Sequence, residues 1–582
     1  MKLLGTILSG LLLTGGLLTA GCRSPADYTR QADKAAAARI ARGQEKALGQ
    51  TLAFTIEPAS DTLRRRLLLD QKLPGLAPES PPPATNPLPD PLVLTLNDAL
   101  RIGAAHSRDY QSTKETVFAS ALDLDLEADA FRTSFAGALS SLFSSDSSGD
   151  AEVRKLTGEG RAGLTQKLKA GATLTTGLAF DLAKLLTANK DSSFGLTADA
   201  SITLPLLRGA GRAIATEPLT QAERNLVYAI RRFERYKQDF AVRLASDYLS
   251  VLQQLQSIQD ATSNLDRIRD AGERARRLSD AGRLPGIQVD QARQDVLRAE
   301  SRLNAARQAY ESQLDSFKVT LGLPADARVQ LVEEELATLG RAAPETAVAT
   351  NASTNVTAAV EAPPIGEARA LALAFTNRLD FRIAIDSIGD AERALVLAQD
   401  ALRAGLTLTA SASTRDTSKL NAREVSGLSL QADRGRTGVG LGYDAPWHRT
   451  AERNAYRERL IALDRARRDR DDLEDRIKLE IRNGLRNLAE ARESCRIQTL
   501  AVALARTRVA STEIYLQAGR AEIRDVLEAQ DALVSAQDAL TGAIVTRRLA
   551  ELNLQRSLGV LQVNPEGLWR EYDYRSAQTA VQ

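Results

Sequence analysis

The sequence predicts a mainly α-helical chain with a smaller share of β-strand, built from two copies of one unit: helix, strand pair, long helix, bend, long helix. Three observations predict this. The first is a repeat: Ala281-Gly282-Arg283-Leu284-Pro285-Gly286-Ile287-Gln288-Val289-Asp290-Gln291-Ala292 returns as Ala518-Gly519-Arg520-Ala521-Glu522-Ile523-Arg524-Asp525-Val526-Leu527-Glu528-Ala529. The offset, Gly282 to Gly519, also sets Leu303 on Leu540 and Leu321-Gly322-Leu323 on Leu558-Gly559-Val560 without a gap, as two copies of one helical hairpin require. The second is the seam after each bend. Val289, Ala292, Val296, Ala299, Leu303, Ala306 and Tyr310 recur at alternating steps of three and four, as do Val526, Ala529, Leu533, Ala536, Leu540 and Ala543. Small Ala at every second seam position lets helix axes approach closely. The third is strict alternation before each long helix: Leu196, Ala198, Ala200, Ile202 and Leu204 in the first half, and Leu406, Leu408, Ala410 and Ala412 in the second.

Taken in order, residues 1–21 read as a signal peptide, with Lys2 followed by an apolar run to Leu18. Residues 22–90 form a tether, with an Ala- and Arg-rich helix and then the Pro81-Pro82-Pro83 and Pro87-to-Pro91 runs. The first structural repeat covers 91–340. Its opening helix is capped at Asn97 or Asp98 and runs to about Ala130. Residues 131–206, rich in Ser, Thr and Gly, hold the strand pair. The strand ending at Leu204 is clear; for its partner, Phe131–Leu142 and Gly163–Phe180 stay open alternatives. A helix from about Thr216 to Asp280 follows, on the order of 100 Å long if unbroken. Residues 341–364 are a linker of Ala, Thr, Val and Pro. The second repeat, 365–565, restarts with a helix to Ala404, in which Asn377-Arg378-Leu379-Asp380 echoes Ser107-Arg108-Asp109-Tyr110. Its second strand passes through Leu428 and Leu430 or through Val439 and Leu441. A helix of about 70 residues, the second bend and the last arm complete it, and 566–582 is a tail.

Composition narrows the function. Lys and Arg number 76 against 74 Asp and Glu, so nothing advertises a nucleic-acid partner. Two His and two Cys make no metal-ligand cluster, and no nucleophile–base pair or phosphate loop is visible, so neither a cofactor nor an enzyme activity is expected. Gly158-Glu159-Gly160-Arg161-Ala162-Gly163 fits G-x-G-x-x-G but lacks its strand–helix context. His106 and His448 read as lone surface residues, and Cys495 as a small apolar filler. No later stretch is apolar enough for a membrane helix, so any crossing would use strands.

Two local patterns carry a resemblance. Ala20-Gly21-Cys22 resembles a bacterial lipobox, with Thr19 where Leu is usual, which implies lipidation at Cys22. Pro205-Leu206-Leu207-Arg208-Gly209 between strand and long helix, with Pro446-Trp447-His448-Arg449 as a weaker second copy, resembles the TolC family of outer-membrane factors from about Leu94 to Val563, the linker excepted. The resemblance implies a homotrimer with a 12-stranded transmembrane β-barrel, continued by a periplasmic α-helical coiled-coil barrel. It also implies lipid-anchored residence in the outer membrane and partners in a periplasmic adaptor and an inner-membrane transporter. The function implied is the passive outer-membrane channel of a tripartite export system. By position it puts a pore constriction at Asp525 and Glu528, while Gln288 departs from the acidic pattern in the first repeat. The adaptor-docking bends would carry Gly282, Arg283, Gly519 and Arg520. The rival reading is a periplasmic coiled-coil lipoprotein, an adaptor or an envelope spacer, which would have no use for amphipathic strands in both halves.

Overall fold

The computed structural model describes residues 24–56, 60–74, 90–146, 153–185, 192–341, 365–420 and 435–574. The chain forms two compact units. One takes residues up to 51, 117–229 and 384–470; the other takes 52–116, 230–383 and 471 onward, so both draw on both sequence repeats.

In the first unit, α1 (Pro25–Leu48) starts with a reciprocal cap. Ser24 and Asp27 each bond the other's backbone N–H, and Pro25 fills the first turn, where no donor is needed. The helix buries Ala36, Ile40 and Ala47, and is tied by Arg39 to Asp125 (3.3 Å) and by Lys46 to Glu223 (2.9 Å). The rest of the unit is a six-stranded antiparallel sheet in the order β2-β3-β4-β5-β7-β8, with its flanking helices. Its strands are β2 (Ser134–Asp146), β3 (Val153–Lys167), β4 (Thr173–Leu185), β5 (Ser192–Pro205), β7 (Gly405–Leu420) and β8 (Arg436–Asp444).

This corrects the expected strand pair in the first half, which holds four strands among the described residues. The two segments between which the sequence did not decide are both strands: 131–142 falls largely on β2, and 163–180 on the end of β3 and most of β4. The period-two pattern is weak there because Ser, Thr and Gly stand on both faces. In the second half the partner of β7 is β8, through Val439 and Leu441; Leu428 and Leu430 lie outside the described residues. The strands return to helix at Leu206–Gly209. Leu206 N–H donates to the Leu406 carbonyl (2.7 Å), and Gly209 N–H, at φ +79°, donates to the buried Asp400 carboxylate (2.7 Å).

The second unit opens on α2 (Ser60–Asp70). The short strand β1 (Leu92–Leu94) then pairs in parallel with β6 (Val329–Leu331). Gln71 extends that pairing like a strand residue, donating to the Arg328 carbonyl (3.2 Å) and accepting from its N–H (2.8 Å). The helix after β1 is capped by Thr95, with Asp98 reciprocating three residues later, rather than by Asn97 or Asp98 itself. It also breaks: α3 (Leu96–His106) ends at Ser107 and α4 (Arg108–Asp129) begins anew. The second half does the same, α9 (Glu367–Asn377) ending at Arg378 before α10 (Leu379–Ala401).

The long elements match the repeat. The short α5 (Arg212–Ala215) precedes α6 (Glu217–Asp280), and the hairpins are α6 with α7 (Gly286–Thr320) and α11 (Thr450–Gln517) with α12 (Ile523–Leu558). A short helix α8 (Glu334–Arg341) follows β6, and a small hairpin of β9 (Gln562–Val563) and β10 (Trp569–Arg570) closes the chain. Gly322 (φ +81°) and Gly559 (φ +71°) end α7 and α12 and explain the breaks. A Cβ on Gly322 would stand 2.1 Å from the His106 carbonyl oxygen, and one on Gly559 would stand 3.2 Å from the Arg378 nitrogen. Each glycine therefore seats its hairpin arm on the corresponding helix break. Ser107 and Arg378 are the structural counterparts, one residue off the echo read from sequence.

Candidate functional site

Both bends close with the same hydrogen bonds. At the first, Gly282 N–H donates to Ser279 O (2.9 Å) and Arg283 N–H to Leu278 O (2.8 Å). At the second, Gly519 N–H donates to Leu516 O (3.0 Å) and Arg520 N–H to Tyr515 O (2.8 Å). These are Schellman closures, with Gly282 at φ +69° and Gly519 at φ +67°. All four residues are exposed, and nothing lies within 4 Å of where a Cβ would stand on either glycine. The bends also meet. Leu265, Ile268, Ala275, Ala292, Ile523 and Leu527 form one buried cluster, against which Leu284 and Leu516 pack from the two turns. Arg302 of α7 holds Asp531 of α12 in a two-pronged pair (2.8 and 3.2 Å), which Asn264 of α6 joins at 3.4 Å. Charge pairing at 229 residues' separation carries no local periodic signal, so the sequence did not single out this tie.

The acidic residues have local partners here. Asp525 is half-buried and accepts from the Glu522 N–H (2.9 Å), as the third residue of a reciprocal cap at the start of α12. Glu528 is exposed and pairs with Arg508 of α11 at 2.9 Å. The cap accounts for the departure at Gln288. Its counterpart of Glu522 is Pro285, which has no N–H, so a carboxylate at 288 would have no donor to satisfy. Cys22 lies outside the described residues.

A further polar cluster, unforeseen from sequence, sits at the second helix break. Arg378 is 5 % exposed and bonds Asp380 (2.6 Å) and Glu480 (2.5 Å), while Ser557 Oγ donates to Glu480 (2.6 Å). Burial alone would raise both carboxyls. The hydrogen bonds and the Arg378 charge, joined for Glu480 by the Ser557 hydroxyl, outweigh burial and hold both below the ordinary range.

In the sheet, the ladder registers assign every residue to a face. One face is mainly apolar, carrying Phe135, Leu139 and Phe143; Leu164 and Ala162; Leu174, Leu178 and Phe180; Ile202, Ala200 and Ala198; Leu408 and Ala410; and Leu441 and Val439, with Ser141, Thr176, Thr414 and Asp416 among them. The other carries mainly Ser, Thr and Gly, with Lys155, Glu159, Arg161, Asp181, Asp199 and Arg415. Phe135 is 80 % exposed, and Trp447, just past β8, is 99 % exposed. Gly160 of the G-x-G-x-x-G stretch lies inside β3, where the Phe180 ring covers it; a Cβ there would meet the ring at 2.1 Å. His448 is exposed as expected, His106 is half-buried, and Cys495 is buried with no disulfide. No described helix is long and apolar enough to cross a membrane.

No family profile matches the sequence, and no curated protein matches it. Solved structures do. The outer membrane protein VceC of Vibrio cholerae aligns with TM-score 0.57 at 13 % identity, over 80 % of this chain and 96 % of that one. The Campylobacter jejuni CmeC outer membrane channel aligns with TM-score 0.56 at 10 % identity, over 83 % and 88 %. The open state of the Neisseria gonorrhoeae MtrE outer membrane channel aligns with TM-score 0.54 at 12 % identity, over 80 % and 89 %. The chain has the fold of the TolC-type outer-membrane channels. At these identities, the fold is what is shared.

Proposed function

We propose that this protein is the passive outer-membrane channel of an export system. The observation that carries the reading is the sheet: one face mainly apolar on every strand and the other mainly polar, as a wall between lipid and water requires. A coiled-coil spacer or adaptor has no use for such a face. Exposed Trp447 beside the last strand suits an aromatic residue at the membrane–water boundary. Three copies would supply the barrel, with their long helices continuing into the periplasm, and Cys22 would carry a lipid that adds a second anchor. The intact mass of the mature chain tests the anchor: a wild-type chain without acyl mass sinks it, and Cys22→Ser should remove that mass.

The paired bends would meet the adaptor of a periplasmic and inner-membrane partnership, with Gly282, Arg283, Gly519 and Arg520 at the tip. Asp525 and Glu528 would ring the constriction. Three symmetry-related carboxylates near an axis repel anions and attract cations, beyond the local work each does in capping and pairing. The test is current through the purified protein in planar bilayers. The parent should select cations and be blocked by multivalent cations; Asp525→Asn with Glu528→Gln should lose the block and weaken selectivity. A variant blocked and selective like its parent returns both residues to purely local roles.

A further inference from the structure

We propose that all six described strands stand in the membrane wall, with β2 of one copy pairing with β8 of the next, so that three copies close an eighteen-stranded barrel. The twelve strands implied by resemblance would need four per chain. This inference rests on the trimeric channel reading above and fixes the width of its membrane end.

The hairpin β2–β3 is the extra material, and it is continuous with the rest of the sheet. The β3–β4 ladder runs unbroken from Lys155↔Leu185 to Lys167↔Thr173, as complete as the β4–β5 ladder beside it. The apolar face also crosses it, with only single polar residues such as Ser141 and Thr176 among the apolar ones. Phe135 pairs with Leu164 and Leu139 with Gly160, and Gly160 in turn pairs with Phe180, which pairs with Leu196. Folding the hairpin into a water-filled lumen would break the β3–β4 ladder and turn Phe135, Leu139 and Phe143 toward water, which apolar side chains of this size oppose. On the opposite face, the hairpin presents Lys155, Glu159 and Arg161, in line with Asp181 and Asp199 on the inner side of its neighbours.

The edges supply the partner. Among the described residues nothing pairs with the outer side of β2 or of β8, and a bilayer leaves no water to satisfy their N–H and C=O groups. Six strands are too few to close alone, since the smallest known transmembrane barrels have about eight. All neighbours are antiparallel and the strand number is even, so β2 and β8 run in opposite senses. A second copy can therefore continue the same alternation head to tail, and rotation closes the ring. Diameter grows nearly linearly with strand number, so this wall would be about 1.5 times as wide as a twelve-stranded one. The membrane end would then admit cargo that a twelve-stranded wall excludes, leaving selection to a narrower point elsewhere.

Electron cryomicroscopy of the full-length protein in lipid nanodiscs tests this, counting strands across the barrel and copies from the helices. Three copies with eighteen strands is the expected result. Three copies with a twelve-stranded wall and β2–β3 outside it overturns the inference while leaving the trimer intact. Two copies sharing twelve strands overturns the trimer, and with it the number eighteen. A second measurement needs no particle image. Cysteine at Leu139 or Phe143, combined with cysteine at Val439 or Leu441, should on oxidation give chains linked in twos and threes from at least one combination, where the single-cysteine variants give none. Absence of linked chains from every combination overturns β2–β8 pairing.

Discussion

Gly322, Gly282 and Gly519 all hold positive φ but do two different jobs, and substitution should separate them. Gly322 needs both its backbone angle and its missing Cβ, because a methyl group would meet the His106 carbonyl at 2.1 Å. Gly282 and Gly519 need only the angle, since open space surrounds each. Forcing a side chain to positive φ costs about 1–3 kcal/mol, and most for a β-branched residue. Gly282→Val and Gly519→Val should therefore fold and assemble yet lose export, while Gly322→Ala should fail to accumulate. Yields of membrane-extracted protein read the first difference and an export assay the second. Full export by the double valine variant would remove the bends from the docking surface. The bend glycines were legible in sequence because they sit at the one point where two apolar seams are interrupted at the same offset. The need at Gly322 was legible only as the repeated Leu-Gly; what it touches is 216 positions away in the chain and leaves no local trace.

At the scale of elements, the sequence read the long helices closely and the strands poorly. Expected limits of Thr216 and Asp280 stand against an observed Glu217–Asp280, because the Pro205–Gly209 turn before it and the Gly282 bend after it mark both ends. Helix breaks at Ser107 and Arg378 were missed, since each keeps apolar residues on both sides and carries no Pro or Gly. The hairpin β2–β3 was legible only in part, with Phe131–Leu142 and Gly163–Phe180 standing as alternatives for a single strand, because an exposed, lipid-type face containing Ala, Gly and Ser alternates too weakly to count strands. The Arg378 cluster, which pins the second break, makes a pH-dependent contribution. Asp380 and Glu480 have depressed pKa values in the folded chain, so their contribution is complete above about pH 4, the ordinary carboxyl range, and is lost as pH falls through the lower folded values. Arg378→Met takes the nearest cation from two carboxylates at 32 % and 34 % exposure, leaving Glu480 the more distant Arg556 at 3.9 Å. A cost of about 2 kcal/mol follows, below the range for a fully buried pair. That gap in thermal midpoint should narrow as pH drops from 7 to 4, because protonation relieves the variant first. A gap that is unchanged with pH would mean that packing, and not charge, is what Arg378 supplies.

At the scale of the whole molecule, the proposed role is a water-filled conduit across the outer membrane, and the two-faced sheet, the duplicated hairpins and the carboxylates beside the second bend are the parts it would use. The most direct measurement is current through purified wild-type protein inserted into planar bilayers, with insertion verified by lipid co-flotation. Discrete conductance steps, cation-selective and reduced by multivalent cations, are the predicted result. Bilayers that carry the protein yet stay silent over a range of voltages and salt concentrations would contradict it.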